Sequence, residues 1–378
     1  MFILALTVTV LIGILVLIVA VGLVGQKVTY GMRARRKARL DELYQQKMDP
    51  ILLEDLPGES TDPASLLFRQ GVARACEPLQ KELQRINWFS RRAHRKALKR
   101  VMLGMSHELV GETRARLSLT FQIFGFVKDE LRDIASRRWW IRAKACRNLA
   151  LMRAEDATSD LIMLLTDNEE DVRTEAAMAL VNIAGVKALD PLFTNLQRVS
   201  VWMAIQLSKA ILAMGSAAVP ALIESLKSEH ESVKSFSIEM LGEIRDIRAC
   251  VPLIELAQIA GVDLGCKALI SLGKLGDEAG KETLLEHISS DDERLRISAA
   301  RGLGFLASPE TAPALTQHLL DDTVRVRIEA GKALERIDAA GHTFLTQAYA
   351  ESDALGKRIV SQFLENLGVE VESLGGQT

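Results

Sequence analysis

One helical unit recurs along this chain, most clearly as VRTEAAMALVNIAG (172–185), VKSFSIEMLGEIRD (233–246), LRISAARGLGFLAS (295–308) and VRIEAGKALERIDA (326–339). Apolar residues at offsets 0, 5, 8 and 11 of the unit lie on one face of an α-helix. The unit recurs every 30 or 31 residues, and its first apolar position is Ile141, Val172, Trp202, Val233, Leu264, Leu295 and Val326. A period of this length indicates a stacked array of repeats.

A second, shorter helix completes each unit. It carries leucine at offset 20, and prolines at 191, 220, 252 and 313 suit its first turn. Such a hairpin is too small to bury its own apolar face, so neighbouring units must share a core. The sequence therefore predicts an all-α fold, a right-handed α-solenoid of about seven to eight hairpins over residues 111–370, followed by a tail at 371–378.

The units resemble short HEAT-like repeats of the type named after phycobilin lyases. The resemblance rests on Asp171-Val172-Arg173, on Asp291-Asp292 before Leu295-Arg296, and on Asp321-Asp322 before Val326-Arg327. It implies a ladder in which the arginine of one unit meets an aspartate beside the next. The ladder positions are Arg142, Arg173, Lys234, Arg296 and Arg327, with breaks at Met203 and Gly265 that predict irregular stacking there. Repeats of this type serve lyases, hydroxylases, glycosylases and scaffolds, so the fold alone does not assign a function.

Composition excludes several classes of protein. Of the 378 residues, 48% are apolar, 5% are aromatic and the net charge is −2. This apolar content is too high for a disordered chain, the few aromatic residues disfavour a β-barrel, and the balanced charge disfavours a general nucleic-acid binder. Charge is uneven, however: residues 27–101 hold 17 basic and 9 acidic residues, whereas residues 102–378 hold 30 and 40.

The N-terminal segment is apolar. Residues 2–24 contain no charged side chain and are long enough, at about 1.5 Å per residue, to cross a bilayer. Basic residues follow the segment, which predicts a single-pass anchor (1–26) in the cytoplasmic membrane with the N-terminus outside and the rest in the cytoplasm. A cleaved signal peptide is the alternative, although the segment lacks a basic start. Residues 27–65 are expected to be a basic juxtamembrane segment and a linker, with the linker over 46–65.

A basic amphipathic region is predicted at 66–110, with one helix from about Leu79 to Met105. Its basic face either contacts anionic lipid headgroups or covers the end of the repeat array while remaining solvated. The membrane-surface candidates of both regions are Arg33, Arg35, Arg36, Lys37, Arg39, Arg92, Arg95, Lys96 and Lys99.

Motifs for catalysis are weak. Four cysteines are widely spaced, which predicts reduced, buried thiols. Two His-Glu pairs, at 107–108 and 230–231, occupy non-equivalent repeat positions and do not match the iron site of the related hydroxylases. The Gly302-x-Gly304-x-x-Ala307 pattern lies inside a repeat helix and not after a strand, and 276–282 departs from a phosphate loop. We expect no metal, no cofactor and no enzymatic activity.

Candidate partner-binding residues come from helix starts and from exposed positions of the first helices. Trp139 and Trp140 begin a helix beside basic residues, whereas Trp202 is expected in the core. The full set of partner-binding candidates is Trp139, Trp140, Glu175, Met178, Lys209, Glu239 and Arg301.

The sequence thus favours a membrane-anchored cytoplasmic adaptor that binds protein partners of an inner-membrane complex. Resemblance to bacterial chains of this plan suggests envelope or exopolysaccharide assembly. Two alternatives stay open: a lyase-type or other enzyme subunit that acts with a partner chain, and a sensor of anionic lipid surfaces. No nucleic-acid partner is expected.

Overall fold

The computed structural model describes residues 2–54, 62–63, 65–195 and 199–369; the side chains of residues 1–26, 28 and 338–340 lie outside this description. Every regular element in these ranges is helical, as the sequence predicts. The chain forms two compact units, Met1–Ala157 and Thr158–Thr378.

The described part of unit 1 contains six α-helices, which surround an apolar core that includes Phe68, Leu98 and Phe121. The helices are α1 (Phe2–Leu53), α2 (Leu66–Arg85), α3 (Trp88–Met105), α4 (Gly111–Ile123), α5 (Phe126–Asp133) and α6 (Trp139–Leu151).

Unit 2 is a stack of helical hairpins in which long and short helices alternate. The long helices are α8 (Glu170–Ala184), α10 (Val201–Met214), α12 (Glu231–Ile244), α14 (Val262–Leu275), α16 (Glu293–Leu306) and α18 (Val324–Arg336). The short helices are α7 (Thr158–Met163), α9 (Leu189–Asn195), α11 (Val219–Ser225), α13 (Cys250–Ile259), α15 (Lys281–His287) and α17 (Ala312–Gln317). Two further helices, α19 (Asp338–Glu351) and α20 (Ala354–Asn366), end the stack.

The repeat columns form the core. Leucine at offset 20 is fully buried in all six units that carry it: Leu161, Leu192, Leu222, Leu253, Leu284 and Leu315. The residues at offset 5 are equally buried in each long helix, from Ala177 and Leu207 to Ala300. The solenoid prediction is therefore confirmed at the level of an α-helical repeat stack.

The register of α10 differs from the prediction. Trp202 is 54% exposed, whereas Met203, Leu207 and Ile211 are fully buried. The core face of α10 thus begins one residue later than expected and follows a spacing of four. The prediction that Trp202 lies in the core is wrong, because the core position is occupied by the next residue, Met203, which is also apolar.

Small residues allow the long helices to approach backbone to backbone from α12 onward. A Cβ added to Gly273 of α14 would lie 2.1 Å from the Gly302 carbonyl oxygen of α16. A Cβ added to Gly242 of α12 would lie 2.6 Å from the Ser271 hydroxyl oxygen of α14. The glycines of the apparent dinucleotide pattern, Gly302 and Gly304, therefore serve close helix packing.

The arginine ladder is present at its C-terminal end. Arg296 donates to the Ser290 and Asp291 carbonyls at 2.8 and 3.1 Å and pairs with the Asp321 carboxylate at 3.0 Å. Arg327 repeats the arrangement one unit on, where its guanidinium lies 3.0 Å from the Asp353 carboxylate.

Other ladder residues also donate to the loop before their own helix. Arg173 donates to the Asp167 carbonyl at 2.7 Å, and Arg142 donates to the Ser136 carbonyl at 2.9 Å. The Lys234 side chain forms no ion pair within the described part of the chain. A lysine ammonium lacks the planar fork that spans two partners.

Helix α1 extends further than the sequence predicts. Its backbone remains helical through Leu53 despite Pro50, so the region assigned to a linker begins with eight helical residues, 46–53. Tyr44, Met48, Ile51 and Leu52 are buried on the other helices of unit 1. Burial of such side chains, at about 1.5–3 kcal/mol each, outweighs the roughly 3 kcal/mol cost of an internal proline.

The predicted single helix from Leu79 to Met105 is two helices. Ile86 is extended, and the Asn87 side chain accepts a hydrogen bond from the Phe89 amide at 3.2 Å, which starts α3. Asparagine at this position satisfies an amide that has no partner within the helix. The periodicity of the two helices is continuous in sequence, which hides the turn between them.

Candidate protein-binding surfaces

Helix α10 presents an apolar edge to solvent. Val201, Trp202, Ile205 and Leu212 are 80%, 54%, 50% and 41% exposed. Their spacing places them along one side of the helix. Lys209, a predicted partner-binding residue, is also exposed on α10. Contiguous exposed apolar side chains on a folded protein are typical of an interaction surface.

In later repeats, the equivalent side of the long helix is covered by the next long helix. Leu212 occupies the position equivalent to Gly242 and Gly273, both of which are buried against the next long helix. A leucine at this position prevents the backbone approach that glycine permits. Helix α10 therefore packs less closely on α12 than α12 does on α14. The weaker packing of α10 agrees with the irregular stacking predicted at Met203. Helix α14, which carries the second predicted break at Gly265, packs closely on both α12 and α16 instead.

A basic and aromatic surface lies on unit 1. Trp88 and Phe89 begin α3, are 69% and 73% exposed, and stack with their rings 3.9 Å apart. A groove of 570 Å³ continues from Trp88 between α3 and α5. Arg92 and Lys96 are exposed beside it.

Two of the predicted lipid-binding cations form ion pairs inside unit 1. Arg95 pairs with Asp129 at 3.0 Å and lies 4.8 Å from the Phe126 ring centre. Lys99 pairs at 2.8 Å with Glu130, which is buried. Burial raises the pKa of Glu130, although the ion pair opposes the shift. Of the four α3 candidates, only Arg92 and Lys96 are fully available to a ligand.

The basic run of α1 is solvated. Arg33, Arg35, Arg36, Lys37 and Arg39 are exposed, and within the described residues they form no ion pair. The docked part of α1 begins just beyond them, where Arg100 donates to Asp41 at 3.0 Å and Tyr44 bonds to His94 at 2.8 Å. Burial, with help from Glu82, raises the pKa of Tyr44 to about 12.

The remaining candidates are surface residues in different local environments. Trp139 and Trp140 are 38% and 53% exposed in an edge-to-face pair, and Arg138 lies 5.8 Å from the Trp140 ring centre. Glu175 and Met178 are half-buried on α8. Glu239 and Arg301 are exposed but paired to the next repeat, with Lys267 and Glu329 respectively.

Within the described ranges, no group of three or more His, Cys, Asp or Glu side chains is arranged to hold a metal ion. The four cysteines are free thiols, three of them buried, and burial raises the pKa of Cys76 to about 11. A thiol with a raised pKa is a poor nucleophile. His107 and His230, of the two His-Glu pairs, are exposed.

One described helical stretch, Glu170–Asn195, is long and apolar enough to cross a bilayer, with a mean hydropathy of 1.4. Half of it is buried, and it consists of the repeat helices α8 and α9. The side chains of the predicted anchor at 2–24 lie outside the described residues, so the anchor remains a prediction.

The family of HEAT repeats matches residues 129–204 and 262–335. No curated protein matches the chain. The interval between the two matched segments contains most of α10, with Ile205 and Leu212 of its exposed edge, whereas Val201 and Trp202 lie at the end of the first matched segment.

Similar solved structures include an engineered protein that is 19% identical, with 87% of this chain and 98% of that one covered and a TM-score of 0.35. Kap121p is 12% identical over 86% of this chain and 41% of its own, with a TM-score of 0.43. The complex of CpcE and CpcF of phycocyanin lyase from Nostoc sp. is 19% identical, with 64% of this chain and 94% of that chain covered and a TM-score of 0.31.

Two surface features are missed by the sequence prediction. The apolar edge of α10 depends on the one-residue register of Trp202, and the α3–α5 groove depends on the break between α2 and α3 at Asn87. Asn before a Trp-Phe pair is a helix-start signal that could have located the second of these.

Proposed function

We propose that this HEAT-repeat protein is a non-enzymatic scaffold, held at the cytoplasmic face of a membrane by residues 2–24, that binds a protein partner on its repeat stack. The observation that carries the proposal is the exposed apolar edge of α10, formed by Val201, Trp202, Ile205 and Leu212. Tryptophan and large aliphatic side chains at the centre of an interface supply most of its binding energy.

The occupant that fits this edge is a partner segment with an apolar face, such as an amphipathic helix. The edge runs along the helix for about 16 Å, from Val201 to Leu212, at about 1.5 Å per residue. This length matches three turns of a docked amphipathic helix, whose apolar face commonly packs on an apolar surface of a receptor. Lys209 adds a positive charge for an acidic residue on the partner.

The membrane tether is supported by the apolar segment and by the solvated cations at 33–39. Helix α1 is continuous from Phe2 to Leu53, so the tether would enter unit 1 without a flexible joint. A tether of this kind raises the effective concentration of a recruited partner at the membrane. The inner-membrane complex served, including envelope or exopolysaccharide assembly, stays part of the proposal.

The α1–α3 geometry argues against α3 as a lipid sensor. Asp41 meets Arg100 and Tyr44 meets His94, so the two helices run antiparallel. The exposed end of α3 therefore points away from the apolar segment. Tyr44 is 20 residues beyond Val24, which is about 30 Å of helix. Headgroup attraction falls off within about 8–10 Å at cellular salt.

We expect the double substitution Arg92→Glu and Lys96→Glu to leave membrane association of the full-length protein unchanged. Flotation with vesicles that contain anionic lipid measures this. Loss of flotation in the variant would restore the lipid-sensor hypothesis. Removal of residues 2–24, as the matched comparison, is expected to abolish flotation.

The scaffold proposal is tested by crosslinking in native membranes followed by affinity purification of the full-length protein. In the variant Trp202→Ser with Ile205→Ser, we expect recovery of the partner to fall at least about tenfold, since central contacts are each worth about 2 kcal/mol or more. Both side chains are exposed, so the fold should persist.

Ile259→Ser is the control, because Ile259 is 81% exposed on α13, away from this edge. Equal recovery from both variants would contradict a role for α10. A purified protein that carries a bound small molecule and no partner would favour the enzyme-subunit alternative.

A further inference from the structure

A second groove lies on unit 2, across the long helices α14, α16 and α18. It has a volume of 370 Å³. Its floor is made of small residues, since Ala300, Gly304 and Ala333 are all buried. A floor without bulky side chains lets a ligand approach the helices closely.

The groove is positively charged. Four cations line it, Lys274, Arg301, Lys332 and Arg336, against the single carboxylate of Glu329. This is a local excess of positive charge in a region, residues 102–378, that holds ten more acidic than basic residues. A cleft lined by positive charge concentrates the local electric field and attracts negatively charged ligands.

Glu329 holds two of the cations in place. Its side chain is only 11% exposed and accepts from Arg301 at 2.8 and 3.2 Å and from Lys332 at 3.0 Å. Burial alone would raise the pKa of Glu329, but the hydrogen bonds from Arg301 and Lys332 outweigh it and lower that pKa. Cations positioned before binding lose little conformational entropy when a ligand arrives.

Arg336 is the cation with most donors to spare. Its guanidinium lies 4.8 Å from the Phe305 ring centre, and it makes no ion pair with a described residue. Lys274 lies 5.6 Å from the same ring and pairs at 2.6 Å with Glu243. The planar fork of an arginine binds a carboxylate with two parallel hydrogen bonds.

We propose that this groove binds an acidic peptide segment of a partner protein, with Arg336 and Lys332 as the principal carboxylate ligands. Apolar side chains next to the acidic residues would contact Phe305, which is 41% exposed. The site is separate from the α10 edge, so it adds a second partner chemistry and does not depend on the first.

Peptide fits better than nucleic acid. Single-stranded nucleic acid needs an aromatic face on which a base stacks. Among the described residues that line this groove, Phe305 is the one aromatic side chain, so successive bases would have no row of rings on which to stack.

Fluorescence anisotropy on the full-length protein in detergent tests the proposal, with a labelled Glu-rich peptide, a Lys-rich peptide of equal length and a single-stranded RNA oligonucleotide as probes. We expect the Glu-rich peptide alone to bind, and to weaken as salt rises. Arg336→Glu is expected to raise its Kd at least about tenfold, because reversal removes a carboxylate ligand and adds repulsion.

Arg325→Glu is the matched control, since Arg325 is exposed on the same helix, outside the groove. It should bind the peptide as the unmodified protein does. Arg336→Lys keeps the charge and should lose less affinity than Arg336→Glu. Three results would overturn the proposal: no peptide binding, unchanged binding in Arg336→Glu, or tighter binding of RNA than of peptide.

Discussion

Replacing Gly273 with alanine is expected to destabilise unit 2 by about 3 kcal/mol, the upper end of the usual cost of overpacking. The new Cβ would lie 2.1 Å from the Gly302 carbonyl oxygen and 2.4 Å from the Gly302 Cα. Both are backbone atoms of α16, so no side-chain rotation relieves the overlap and the two helices must separate. Hydrogen exchange measured by mass spectrometry should show loss of protection centred on α14 and α16.

Gly104→Ala provides the comparison for that change. Gly104 lies within α3, and nothing is within 4 Å of an added Cβ. Alanine there is expected to stabilise the protein by about 0.5–1 kcal/mol, because it restricts the unfolded chain. Equal behaviour of the two variants would show that α14 and α16 do not approach as closely as described.

Removing the Arg296 side chain is expected to cause the second large loss of stability. Arg296→Ala leaves Asp321, whose side chain is 9% exposed, without its guanidinium, and leaves two carbonyls of the preceding loop without a donor. Breaking a buried ion pair by removing one partner costs about 3–5 kcal/mol. The Thr323 amide still donates to Asp321 at 2.8 Å, which places the expected loss near about 3 kcal/mol. Urea unfolding, compared with the exposed control Arg325→Ala, measures the difference.

The loss of stability in Arg296→Ala should depend on pH. Burial alone would raise the pKa of Asp321, but the Thr323 amide and Arg296 hold it below its usual value. A carboxyl with a lowered folded pKa contributes stability above about pH 4, and that contribution is lost as the pH falls through the folded pKa. The penalty of Arg296→Ala should therefore be full at neutral pH and shrink below about pH 4. A penalty that stays constant across this range would assign the effect to the loop carbonyls alone.

Periodicity determined the repeat fold because each core position is set within its own unit. Leu192, Leu253 and Leu315 are buried by the shared interface that stacking creates, whatever the neighbouring unit contains. The resemblance to HEAT-like repeats also predicted the ladder contacts of Arg296 and Arg327, whose guanidinium groups reach Asp321 and Asp353 beside the next unit.

The candidate surfaces could not be predicted from the repeat periodicity, because they depend on helix register and on the packing of neighbouring helices. Whether Trp202 or Met203 enters the core is a one-residue choice, because a helix turns about 100° per residue and both side chains are apolar. Tertiary packing buried Met203 and left Trp202 exposed. Likewise, Arg95 and Lys99 are indistinguishable from Arg92 and Lys96 in sequence, and only the position of α5 commits the first two to Asp129 and Glu130.

The amino-acid sequence by itself thus determined an all-α stack of repeats, its core columns and its basic N-terminal region, because these follow from local spacing and charge. The tertiary structure decided which residues face solvent: the edge of α10, the groove around Arg336 and the direction of α1 along α3. Those outcomes depend on how closely neighbouring helices approach. That distance is set by pairs such as Gly273 and Gly302, which are 29 residues apart in the chain and meet only in the fold.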